Sequence, residues 1–228
     1  MNPVRTAENI LTELRSMADP EKTSGMARYG INPDKTLGIS IPALRAIARR
    51  IGKDHALAEE LWSTGVHEAR ILASFIDLPG QVTSEQMEIW ASDFDSWDVC
   101  DQCCSNLFDK IPFADQKAIE WSAREEEFVK RAGFVLMATL AVHDKKAGDE
   151  KFIGFLPYIV RESDDERNFV KKAVSWALRQ IGKRNRRLNA LAIGTAREIQ
   201  QKDSRAARWI ASDALRELTG ESVQNKFK

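Results

Sequence analysis

Nearly every segment of this 228-residue chain spaces its apolar residues three and four apart, and short polar or glycine-containing turns interrupt the pattern at close intervals. No segment alternates with the period of a strand. The chain is therefore expected to be all-α, with helices over roughly 3–17, 23–30, 41–51, 54–64, 67–78, 84–93, 97–109, 114–123, 125–142, 149–161, 164–181, 186–201 and 204–218. Helices of this length are marginal alone in water and hold only by burying an apolar stripe on a neighbour. The segment 144–149 reads as a turn and not a linker. Residues 1–218 are thus expected to form a single domain, followed at 219–228 by a short, mildly basic, frayed tail.

An internal echo organises the array. Phe128-Val129-Lys130-Arg131-Ala132 returns as Phe169-Val170-Lys171-Lys172-Ala173, displaced by 41 residues, which falls within the period of HEAT and armadillo repeats. His67-Glu68-Ala69-Arg70 and Arg205-Ala206-Ala207-Arg208 are weaker copies. Stacked helix pairs of this kind build an α-α superhelix, a solenoid whose inner wall is an extended binding surface. The echo superposes Arg131 on Lys172 and so directs both cations toward one wall.

Formal charge is zero, from 34 basic and 34 acidic residues, which argues against a nonspecific polycation. The charge is nevertheless unevenly placed. From Ile71 to Asp109 the chain carries acids and no Lys or Arg, whereas from Arg167 to Arg197 it carries Lys171, Lys172, Arg179, Lys183, Arg184, Arg186 and Arg187 and no acid. The basic stretch is a candidate phosphate-binding surface or a solvated face. Cys100, Cys103 and Cys104 lie on one expected helix without partners for a disulfide framework, which suits a reducing cytoplasm. Residues 1–9 lack the apolar core of a signal peptide, and the longest apolar run, 132–142, is too short to span a bilayer. A soluble, cytoplasmic monomer without contact to a membrane is expected.

The segment 163–183 reads as one helix with two working faces. Ser163 and Glu166 have the spacing of a capping box, and Gly182 fits the position just past the helix end. Val170, Ala173, Val174, Ala177 and Ile181 make a sufficient core stripe. Phe169, Lys172, Trp176 and Arg179 fall on a second line that alternates aromatic and cation, a surface suited to stacking and phosphate contact. Trp176 alone would pass for a core residue, but its line with Lys172 and Arg179 argues otherwise. Lys183 extends the cationic side.

The second informative stretch is Ser96-Trp97-Asp98-Val99-Cys100-Asp101. Ser96 reads as a helix cap and Asp98 as a complement to the helix dipole, with Trp97 open to a core role. Asp101 lies a full turn inside, on the side of Trp97, where the benefit of the helix start has faded. Arg131 has the ordinary alternative of a solvated arginine, weighed against its repeat position. Trp62, Trp90, Trp121 and Trp209 are assigned to the core. The three cysteines lack the second pair and the nearby histidine that zinc needs, and His67-Glu68 lacks the second histidine of a helix-borne zinc protease. No metal and no cofactor is expected.

Taken together, Met26-Ala27-Arg28-Tyr29, Leu37-Gly38-Ile39, Trp97-Asp98 with Asp101, Arg131 and the run Lys172-Ala173-Val174-Ser175-Trp176-Ala177-Leu178-Arg179 resemble the AlkD-type DNA alkylation repair glycosylases, HEAT-like helical proteins. The resemblance implies hydrolysis of the N-glycosidic bond of cationic N-alkylated purines in double-stranded DNA. It also implies that Asp101 is the catalytic aspartate, that Trp97 and Trp176 hold the lesion-bearing sugar, and that Arg131 lies beside the DNA backbone. Tyr29 and Phe169 resemble accessory contacts. Two positions depart from the family pattern: Asn168-Phe169 replaces two adjacent aromatics, and Ser40 replaces a glutamine. The alternatives are a noncatalytic HEAT-like binder of branched or distorted DNA and a helical-repeat scaffold for protein interaction.

Overall fold

A computed structural model describes residues 6–227, and among them every regular element is helical. The chain divides into two compact units, Met1–Ile111 and Pro112–Lys228. The first holds α1 (Ala7–Ser16), α2 (Pro20–Met26, extended by a 3-10 turn at Ala27–Tyr29), α3 (Ile41–Ile51), α4 (His55–Ser63), α5 (His67–Ile76), α6 (Ser84–Ser92) and α7 (Trp97–Asn106). The second holds α8 (Ala114–Ser122), α9 (Glu127–His143), α10 (Asp149–Ile153), α11 (Leu156–Arg161), α12 (Asn168–Gly182), α13 (Arg186–Gln200), α14 (Arg205–Leu218) and α15 (Glu221–Gln224). Residues 3–5 of the expected first helix lie outside the described residues.

The core of the first unit is built around a stacked indole pair. Trp62 and Trp90 lie with ring centroids 4.0 Å apart and 4° between planes, with Phe94 edge-on to Trp62. Trp62 Nε1 donates to Asp93 Oδ2 at 2.9 Å, and Arg70 covers the same indole at 5.2 Å. The polar handle of a buried tryptophan is thereby satisfied. On α7, Cys100, Cys103 and Cys104 are wholly buried, and burial pushes the thiols of Cys103 and Cys104 well above their ordinary pKa.

In the second unit α9 is the central element. Every residue from Val129 to Ala141 is buried, so this helix is covered on all sides rather than along one stripe. Gly133 permits its close approach to α8, since a Cβ there would lie 2.6 Å from the Ser122 backbone nitrogen and 2.9 Å from the Ala118 carbonyl oxygen. Two of the buried residues are cationic. Lys130 pairs with Glu162 at 2.7 Å and Asp165 at 3.6 Å, and Arg131 donates from Nη1 to the Phe169 carbonyl at 2.6 Å.

Several local expectations are corrected. The capping box at Ser163 and Glu166 does not form: a 3-10 turn occupies Glu162–Asp164 and α12 begins only at Asn168. Ser163 donates to the Val160 carbonyl, while Glu166 accepts from Ala206 N at 3.0 Å and Ser204 Oγ at 3.3 Å, satisfying the start of α14 instead. Gly182 ends α12 rather than following it. Its value is proximity, because a Cβ would meet Leu218 at 2.7 Å and the Ala192 Cβ at 2.9 Å. The expected helix over 149–161 breaks between Ile153 and Leu156, where Pro157 in the first turn of α11 can neither donate to the preceding turn nor clear its carbonyl. Ser96 precedes α7 but its hydroxyl makes no cap, whereas Asp98 lies in the first turn as expected, accepts from Val99 N at 3.0 Å and also faces a histidine as described below.

The segment after α14 is fastened rather than frayed. Val223 is buried, Gln224 Nε2 donates to Asn189 Oδ1 at 3.0 Å and to the Leu218 carbonyl at 2.6 Å, and Arg186 donates to the Phe227 carbonyl. No helix among the described residues is long and apolar enough to cross a membrane.

A paired substitution tests the role of Gly133. Gly133→Ala is expected to cost about 1–3 kcal/mol in urea unfolding, because the obstacle is backbone and α8 must move. Gly194→Ala, where a Cβ meets nothing within 4 Å, is expected to stabilise by roughly 0.5–1 kcal/mol through helix propensity. Equal effects at the two glycines would remove the steric account.

Candidate nucleic-acid interface

In the first unit the segment 36–39 is held by a buried carboxylate. Glu68, fully buried at the start of α5, accepts from Leu37 N at 2.8 Å, Gly38 N at 2.7 Å and Ile39 N at 3.2 Å. Three backbone donors converging on one carboxylate compensate its burial. Gly38 has φ of +79°, and a Cβ there would lie 2.5 Å from the Asp19 carbonyl oxygen, so only glycine fits. This is the physical content of Leu37-Gly38-Ile39, and Glu68 stands in the sequence only as part of a weak repeat copy and an incomplete zinc motif, with nothing nearby to mark its backbone partners. Beside it the buried His67 places Nε2 2.9 Å from Asp98 Oδ2, while its Nδ1 meets no hydrogen-bond partner among the described residues. Burial disfavours its charged form, but the hydrogen bond and charge of Asp98, with Glu68 and Asp95, together raise its pKa.

Trp97 and Tyr29 meet. The half-buried Trp97 donates from Nε1 to the Tyr29 carbonyl at 2.9 Å, fixing the indole against the 3-10 turn after α2, while the Tyr29 side chain is 72% exposed. Asp101, half-buried, stands one turn further along α7, and its own carbonyl accepts from Ser105 Oγ. A cavity of about 440 Å³ opens beside Tyr29, walled by Met26, Ile39, Ile41 and Ile71, with His67 and Asp98 among its lining.

In the second unit α12 presents Lys172 exposed and Phe169, Trp176 and Arg179 half-buried, with Lys183 half-buried just past its end. Phe169 packs on its repeat equivalent Phe128, centroids 5.5 Å apart. With the Gln180 amide oriented so that its oxygen faces the donors, it accepts from Trp176 Nε1 at 2.8 Å and Lys183 Nζ at 3.3 Å. The repeat equivalents Arg131 and Lys172 do not share an exposure. Arg131 is buried and holds the first turn of α12 through Phe169, so its guanidinium positions that turn instead of lying open to a phosphate.

The basic stretch is also less basic than its sequence. Along one side of α12, Lys171, Ser175, Arg179 and Lys183 face Trp209, Asp213 and Glu217 on α14. Lys171 lies 5.3 Å from the Trp209 ring, Ser175 Oγ donates to Asp213 at 2.8 Å, Arg179 pairs with Asp213 at 3.2 Å and with Glu217, and Lys183 pairs with Glu217 at 2.6 Å. Arg167 pairs with Asp165 at 2.6 Å and Arg187 with Glu150 at 2.9 Å. Arg184 stacks 3.9 Å from the Phe152 centroid and donates to the Ala141 carbonyl at 2.6 Å. Acids distant in sequence thus meet Arg179, Lys183 and Arg187, while Arg167 is met by its neighbour Asp165 and Lys171 and Arg184 by aromatic rings. Trp209, expected in the core, is 41% exposed at the end of this seam, whereas Trp62, Trp90 and Trp121 are buried.

Against solved structures, the fold matches one described as "A new family of proteins related to the HEAT-like repeat DNA glycosylases with affinity for branched DNA structures", with TM-score 0.77 and 19% identity over 94% of this chain and 96% of that one. A designed armadillo repeat protein aligns more loosely, with TM-score 0.38 and 16% identity over 81% of this chain and 88% of its own. The fold is therefore that of the HEAT-like repeat DNA glycosylase relatives. The sequence matches the family described as "DNA alkylation repair enzyme" over residues 10–218, and the chain belongs to that family. Among curated proteins none matches the chain.

The seam yields a pH prediction. Burial alone would raise the pKa of Glu217, but its hydrogen bonds to Lys183 and Arg179 and their charges hold it below the ordinary glutamate value. A lowered folded-state pKa contributes stability that is present above the unfolded value, about 4.3, and is lost as pH falls through the folded one. Glu217→Gln is therefore expected to destabilise by up to about 1 kcal/mol near pH 7, with the difference from the parent protein shrinking as pH falls below the unfolded value and through the lowered folded one. A pH-independent difference would show that the charge on Glu217 is not what matters.

Proposed function

We propose that this protein repairs alkylated duplex DNA by hydrolysing the N-glycosidic bond of purines made cationic by ring-nitrogen alkylation. The observation that carries the reading is the trio on and beside α7: Trp97 fixed to the Tyr29 carbonyl, and Asp101 half-buried one turn beyond it. An alkylated cationic base leaves as a neutral group without protonation, so the remaining demand is to stabilise positive charge on the deoxyribose. An ionised Asp101 does this or orients the attacking water, and the negative face of Trp97 assists. Lys172, exposed on α12, supplies a phosphate contact, whereas Arg179 and Lys183 are already paired with Glu217.

A second reading is a noncatalytic binder of branched DNA. It is favoured by those committed cations, by Asn168 and Ser40 in place of family contact residues, and by the fold it shares with a protein described as having affinity for branched DNA.

The deciding experiment measures release of 7-methylguanine and 3-methyladenine from methylated duplex DNA. The unsubstituted protein should release one or both, and Asp101→Asn should lower the rate at least about 100-fold with little change in DNA affinity. DNA binding without base release would establish the second reading in place of the first. Lys172→Ala should weaken binding and flatten its logarithmic salt dependence by about one unit.

A further inference from the structure

We infer that the exposed face of α14, centred on Trp209, is a stacking platform for an unpaired base, extending the DNA-binding surface of α12 toward DNA that is branched or frayed. The inference rests on the DNA-binding reading above. On α14, Arg205, Arg208, Trp209, Ser212 and Arg216 are all exposed and recur three and four apart, so they share one side of the helix. The opposite side, Ala206, Ala207, Ile210, Ala211 and Ala214, is buried, so the exposed indole is surplus to what holds α14 in place.

Two further features fit an anionic, aromatic occupant. The acids at the margins are already bridged, Asp203 to Arg208 at 3.2 Å and Asp213 to Arg216, and those arginine side chains remain 52% and 79% exposed. Lys171 covers part of the ring at 5.3 Å while 41% of Trp209 stays open. The platform is also continuous with α12. Trp209, Asp213 and Glu217 form the α14 side of the seam whose α12 side is Lys171, Ser175 and Arg179, and Lys172 and Trp176 each follow that second line by one residue. An intact duplex has no free base face to offer an indole. A junction or unpaired arm does, and its flanking phosphates meet Arg205, Arg208 and Lys172.

The test uses the full chain and two labelled DNAs, a fork with unpaired arms and a fully paired duplex whose ends are closed by non-nucleotide linkers, at equal salt in fluorescence anisotropy. Trp209→Ala is expected to weaken fork binding about tenfold or more and duplex binding by no more than about twofold, while Trp209→Phe keeps most fork affinity. Arg205→Ala and Arg208→Ala should each lower the salt slope on the fork by about 0.7. No loss on the fork, an equal loss on both DNAs, or a loss shared by Trp209→Phe overturns the inference. If the unsubstituted protein binds neither DNA, the DNA-binding reading itself fails. If it binds both and Trp209→Ala is indistinguishable from it, only the platform fails.

Discussion

The second unit depends on one helix being covered from every direction. With Val129 to Ala141 all buried, α9 has no solvent face, and each neighbour is placed by how closely it can approach. Gly133 sets that approach for α8, and Arg131 sets it for α12 by reaching the Phe169 carbonyl. A buried guanidinium is costly unless its donors are satisfied. The exposed line on α12 is thus registered to the core through a charged residue that itself stays inside.

The same economy explains the charge pattern. A chain with acids gathered in one stretch and bases in another reads as a dipole, yet the fold brings acids from α10, α14 and the 162–165 turn onto the bases of 167–187. What remains outward on α12 is selective, Lys172 beside a half-buried indole, rather than a broad cationic sheet. Binding through such a surface relies on placement of a few groups more than on bulk potential.

Helix positions were legible because burying an apolar stripe leaves a period in the chain: α3 occupies the expected 41–51, and most other helices differ by a residue or two. The break at Pro157 was also legible in principle, since a proline cannot sit mid-helix without cost. The partners were not. Nothing in the sequence near Arg179 announces Asp213 and Glu217, and nothing near Leu37 announces Glu68, because those pairings are made by tertiary approach. For the same reason composition could not separate Trp209, which faces solvent, from Trp62, which stacks on Trp90. Of the candidate site, Tyr29 and Trp97 were each named by resemblance, while the hydrogen bond that joins them and the inward turn of Arg131 emerged only from geometry.

The three cysteines of α7 acquire a meaning from the family to which the chain belongs. The electrophiles that methylate purine nitrogens also attack sulfur, and they do so through the thiolate. Cys100, Cys103 and Cys104 have no accessible surface, and two of them are driven further toward the neutral form by burial. These three thiols are sealed in the helix that carries Asp101. Under the repair activity proposed above, the fold thus shields that helix from the chemistry that makes the lesions.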